Sequence, residues 1–149
     1  MPNLEMVRRK FEWLIGVRAV ERSFIDNLEH ELGMTLPQTF KSVANFFDGS
    51  GIYVLPLHQI GYQSPTNVLS ETQRLRKYGE LSSRYLVLGE PTESLIVMDC
   101  DSTSGRVLWC DATDVCRLGK EPLLREPDSW ASYLDFVEYL VTQEEAEQG

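Results

Sequence analysis

Ser94-Leu95-Ile96-Val97-Met98-Asp99-Cys100, Asp101-Ser102-Thr103-Ser104-Gly105, Arg106-Val107-Leu108-Trp109-Cys110-Asp111: these eighteen residues decide the fold. Two apolar, β-branched runs flank a loop of turn formers, which is the pattern of an antiparallel hairpin. Setting Cys100 opposite Arg106 places Met98 across from Leu108 and Ile96 across from Cys110. The other face then carries Leu95, Val97, Val107 and Trp109. Both faces are apolar, so the hairpin is expected at the centre of a sheet covered on both sides.

Working outward from the hairpin, Tyr85 to Gly89 reads as a strand, Ile52 to Leu57 as another and Val115 to Leu118 as a short one. Asn67 to Tyr78 reads as an inserted amphipathic helix capped by Asn67. Three helices come first. Leu4, Val7, Phe11, Leu14 and Ile15 recur at helical spacing up to Gly16. Ile25, Leu28 and Leu32 follow, with Ser23 and Asp26 as a capping pair and Gly33 as the stop. Pro37 opens the third helix as its first residue, and Phe40, Val43, Ala44 and Phe47 form the buried face. The turn Asp48-Gly49-Ser50-Gly51 comes next. A closing helix is expected from about Asp128, with Trp130, Tyr133, Leu134, Val137, Leu140 and Val141 inward and Phe136 and Tyr139 at the margin. Residues 143–149 are polar and acidic and are expected to fray. The fold class is therefore α+β: a central antiparallel sheet flanked by helices in one domain spanning 1–149, with residues 1–20 as a helical extension.

Composition narrows the function. The chain has 149 residues, 23 acidic and 14 basic, for a net charge of −9. That sign is wrong for direct nucleic-acid binding. No apolar run approaches the ~20 residues that span a bilayer, so no membrane association is expected. Cys100, Cys110 and Cys116 form no Cys-x-x-Cys pair and read as free thiols in a reducing compartment. With charges scattered through the first twenty residues, the expected location is the cytoplasm. The charge is also polarised. From Asp111 onward there are ten acids and three bases, whereas the first twenty residues hold four bases and two acids. Such an acidic end fits steered docking to a basic protein.

Catalytic patterns are weak. Asp99-Cys100-Asp101-Ser102-Thr103 follows a strand in the D-x-D-x-T manner of phosphatases that use an aspartyl nucleophile and magnesium. That chemistry needs a helix after the loop, and here another strand follows. As a calcium loop, the segment has Ser104 and Cys110 where glycine and glutamate belong. There is no G-x-S-x-G elbow and no glycine-rich phosphate loop between a strand and a helix. His30 reads as a surface residue, and His58 as a loop residue able to line a groove. Arg74, Arg76 and Lys77 read as a solvated helix face. No catalytic residue, cofactor or metal ligand is expected.

One resemblance goes further. The run Ile25-x-x-Leu28-Glu29-x-x-Leu32-Gly33-x-x-Leu36-Pro37-x-x-Phe40 resembles the opening signature of the SUKH superfamily. That group includes fungal Smi/Knr cell-wall regulators and bacterial immunity proteins. Phe47-Asp48-Gly49, the Asp101 to Val107 hairpin and Ser132-Tyr133-Leu134-Asp135-Phe136-Val137 resemble its later segments. The glycines Gly49 and Gly51 are spaced more widely than the family's pair, and the first helix is an addition. The resemblance implies a non-enzymatic binding protein, an immunity or antitoxin protein that covers the active or substrate-binding surface of a toxin, with a basic nuclease domain as the matching partner. The alternative is a regulatory scaffold binding an endogenous partner. A docking surface is expected at the groove between the sheet and the loops after Leu57 and Gly89, formed by Tyr53, Tyr62, Glu71, Glu90, Glu93, Asp99 and Asp111. Oligomeric state is left open by the sequence.

Overall fold

The computed structural model describes residues 3–61 and 65–148. Among the described residues, five α-helices, α1 (Leu4–Leu14), α2 (Arg22–Leu32), α3 (Gln38–Val43), α4 (Val68–Tyr78) and α5 (Tyr133–Gln148), accompany four strands. The strands are β1 (Tyr85–Gly89), β2 (Ser94–Asp99), β3 (Arg106–Asp111) and β4 (Asp128–Trp130). They form one antiparallel sheet in the order β1-β2-β3-β4. The fold is α+β with helices flanking the sheet.

Both faces of the central hairpin are covered. Ile96, Met98 and Val107 join the larger core with Phe11, Leu28, Phe40, Phe47, Phe136 and Leu140. Leu95, Val97, Leu108 and Cys110 point the other way, into a smaller core with Leu81, Tyr85, Val87 and Leu118. The register differs by one residue from the expected one: Asp99 lies opposite Arg106, Met98 opposite Val107 and Leu95 opposite Cys110. Cys100 does not pair with Arg106 because its N–H donates to the Arg84 carbonyl on the β1 side, at 2.8 Å. Asp99 then closes the turn by accepting from the Asp101 N–H at 3.0 Å. The slip exchanges Val107 and Trp109 with Leu108 and Cys110 between faces, as a period of two requires. All three cysteines are free thiols.

The early helices follow their apolar stripes. Val7 and Phe11 of α1, Ile25, Leu28 and Leu32 of α2, and Phe40 and Val43 of α3 are buried. Gly33 ends α2 in the left-handed region, with φ 62°. Asn67 caps α4 by accepting from the Ser70 N–H. Two expected starts move. Ser23 lies inside α2, whose N-cap is Glu21 with no side-chain bond. Pro37 is the residue before α3 rather than its first.

Three expected elements take other forms. Residues 52–57 make no strand. The N–H groups of Tyr53 and Val54 instead donate to Glu144 Oε1, at 2.5 and 3.2 Å. Glu144 belongs to the stretch expected to fray, yet α5 continues through it to Gln148 and buries its side chain to 3% exposure. Residues 115–118 form tight turns, with the Arg117 and Leu118 N–H groups both on the Asp114 carbonyl. Asp128 begins β4, and α5 starts only at Tyr133. Ser132 makes that start: its Oγ accepts from the Asp135 N–H at 3.0 Å and donates to Asp135 Oδ2 at 2.9 Å. Phe136, expected at the margin, is fully inside at 1% exposure.

The outer edge of β1 is covered rather than left open. The buried Thr72 hydroxyl of α4 accepts from the Val87 N–H at 2.9 Å. The His58 N–H donates to the Leu88 carbonyl at 2.8 Å. A Cβ on Gly89 would come within 2.7 Å of the Pro56 carbonyl, so glycine lets the 56–58 segment lie against the strand.

Candidate functional site

The 56–58 segment lies against β1 on the side where a groove was expected between the sheet and the loops after Leu57 and Gly89. The residues assigned to it divide into separate settings. Glu71 and Glu90 come together around Arg74, which bonds Glu71 Oε1 through Nε at 2.8 Å and Glu90 Oε1 through a terminal nitrogen at 2.5 Å. His58 Nε2 joins them 2.8 Å from Glu90 Oε2. Burial alone would raise the Glu90 carboxyl, but the hydrogen bonds from Arg74 and His58 outweigh it and hold the group below the ordinary glutamate value.

Asp99 serves the hairpin. Arg84 grips both its oxygens, Nε to Oδ1 at 3.0 Å and a terminal nitrogen to Oδ2 at 2.7 Å. Asp101 lies 3.7 Å from the same guanidinium. The D-x-D-x-T segment thus runs into β3, with its first carboxylate bound on both oxygens. Glu93 sits in the β1–β2 turn at φ 58°, and its carbonyl accepts from the Ala112 N–H. Tyr53 projects into solvent at 84% exposure, above the two bonds to Glu144. Tyr62 lies outside the described residues. Asp111 ends β3, 3.6 Å from Arg125.

Asp111 leads to the feature that the seven residues missed. Beyond it, Glu126 and Asp128 line a hollow with Ser94, Trp109 and Arg125. On the far side of β4, Ser129, Trp130, Asp135, Glu138, Tyr139 and Thr142 line an open groove of about 530 Å³ between the strand and α5. Among the described residues, that lining has two carboxylates and no basic side chain. Its aromatic lining is Trp130 and Tyr139, tilted with ring centroids 5.1 Å apart, and Trp130 meets the buried Phe136 edge-on at 4.9 Å. Glu126, Asp128 and Glu138 are exposed.

The acidic excess after Asp111 was visible in the sequence, but its division was not. Asp114 and Glu144 are turned inward, at 0% and 3% exposure, while Glu145 pairs with Lys10 at 3.0 Å. The aromatic lining became readable only with β4 in place, since reading 128–130 as helix points Trp130 inward. The face combines aromatic surface with an excess of carboxylates, Glu126, Asp128, Asp135 and Glu138 beside the single Arg125, which suits binding of a cationic macromolecule. Among the described residues, no helix is long and apolar enough to cross a membrane. The chain matches no family model and no curated protein sequence.

Proposed function

We propose that this chain is a non-enzymatic binding protein of SUKH type that neutralises a basic toxin domain, of nuclease chemistry, by covering its active or substrate-binding surface. The carrying observation is the β4–α5 groove, where Trp130 and Tyr139 are flanked by Asp135 and Glu138 with no basic side chain among the described lining residues. Carboxylates on such a face occupy the positions that phosphates take on a nuclease. The aromatic rings supply contact area at low entropic cost. Asp99, the strongest nucleophile candidate in the sequence, has both oxygens engaged by Arg84, which supports a binding role over a phosphatase one.

Co-expression tests the reading. The neighbouring genes are read for a toxin-like domain, and any such domain is produced in a host with and without the chain. The expected result is that the domain alone stops growth and the chain restores it. Restoration lost on Glu138→Lys together with Asp135→Lys, but kept on Glu5→Lys, supports this face. Failure of the wild-type chain to protect refutes the immunity reading. Magnesium-dependent phosphatase activity that vanishes in Asp99→Asn would replace it with an enzymatic one.

A further inference from the structure

His58, Glu71 and Glu90 belong to three separate segments: the irregular stretch before α4, α4 itself, and the β1–β2 connection. Their nearest donor atoms nonetheless all lie within 4.8 Å of one another. The side chains are mostly shielded, at 14% exposure for His58, 14% for Glu71 and 27% for Glu90. Arg74 does not fill the cluster. It takes Oε1 of each glutamate, which leaves Glu90 Oε2 directed at His58 Nε2 and the second oxygen of Glu71 uncommitted to Arg74. Two carboxylates against one guanidinium also leave a negative excess at the imidazole.

We propose that His58 Nε2, Glu71 and Glu90 form a binding site for a zinc-class divalent cation. One imidazole nitrogen with two carboxylate oxygens is a donor set used for zinc, and the nitrogen selects against magnesium and calcium. Tetrahedral zinc with bonds of about 2.0–2.1 Å holds its donors roughly 3.4 Å apart. The 2.8 Å contact between His58 and Glu90 therefore opens slightly, and Glu71 swings inward. Arg74 stays on the outer oxygens and orients both carboxylates, as hydrogen-bonding partners behind metal ligands do. Three protein donors leave a fourth position for water. A bound cation would tie α4 and the β1–β2 connection to the segment that covers the β1 edge. This proposal does not depend on the toxin-binding reading, since its groove lies at β4 and α5.

The test is titration of the metal-free full chain with Co²⁺, read by visible d–d absorption, and with Zn²⁺, read by calorimetry and thermal unfolding. One cation per chain and a raised Tm are expected. His58→Gln and Glu90→Gln should each weaken binding by about tenfold or more and reduce the Tm rise at a given zinc concentration. A His30→Gln/Cys116→Ser control, which removes an exposed imidazole and an exposed thiol, should bind as wild type. Circular dichroism checks that the variants fold. Where His58→Gln does not fold, the ring ¹⁵N resonances of wild-type His58 decide, and a zinc-dependent shift at Nε2 is expected. No saturable binding, binding retained by His58→Gln, binding lost in the control, or an unmoved His58 resonance would overturn the proposal.

Discussion

Replacing Glu144 by alanine removes one carboxylate and leaves two backbone donors, Tyr53 and Val54 N–H, without their acceptor. Hydrogen bonds to a charged group contribute about 1.5–3 kcal/mol each. The two bonds share Oε1, so their effects do not simply add. The variant is also relieved of the cost of desolvating a buried carboxylate, which offsets part of them. A net cost of about 3 kcal/mol follows, equivalent to a fall of roughly 6–12 °C in Tm for a chain of this size. Glu144→Gln keeps an acceptor oxygen and should cost about 1 kcal/mol. Glu145→Ala is the control: it removes a pair with Lys10 that is about half exposed and should cost about 0.5 kcal/mol. Urea unfolding followed by tryptophan fluorescence measures all three. If Glu144→Ala falls within about 0.5 kcal/mol of Glu145→Ala, the carboxylate does not anchor residues 52–55 and the reasoning fails.

Arg84→Ala should cost about 2 kcal/mol, because it breaks a bidentate charge-assisted contact at the hairpin mouth, and should speed hydrogen exchange at the Cys100 amide. An aromatic disulfide reagent should modify the exposed Cys116 quickly and the other two thiols only on unfolding, since burial pushes Cys100 up to about 12 and Cys110 up to about 11. Glu90 has a lowered value in the folded state, so it contributes stability above the ordinary glutamate range and loses it as pH falls below about 4.5 through the lower folded value. Glu90→Gln should therefore narrow its stability deficit relative to wild type in acid, and a deficit that is constant from pH 7 to pH 3 would contradict this.

What the sequence made legible was whatever local chemistry decides. The stripes of α1 to α3, the Asn67 cap and the Gly33 stop depend on neighbours a few residues away, and they form as read except that Leu4, at the start of α1, is exposed. The hairpin's two apolar faces were legible for the same reason. Its register was not, because the Cys100 N–H is claimed by Arg84, sixteen residues earlier. Residues 52–57 have strand composition, but their donors are met by a carboxylate on α5 rather than by a strand. The Ser132–Asp135 cap has the same spacing as Ser23–Asp26, and only packing selects between them.

The site was legible in its sign and not in its place. Glu71 and Glu90 were picked out, but His58 and Arg74 join them only through the packing of α4 against β1. The acidic excess pointed to a basic partner, while the burial of Asp114 and Glu144 and the lining formed by Trp130 and Tyr139 required the tertiary structure.

Titration calorimetry against whichever toxin-like domain the neighbouring genes encode, at 50 and 300 mM salt, tests the central claim most directly. Opposite charges meeting over the β4–α5 groove should give tight binding that weakens steeply with salt as the charges are screened. Glu138→Lys with Asp135→Lys should weaken it further at low salt than at high salt. Absence of binding, or binding that neither salt nor the charge reversals alter, would contradict the claim.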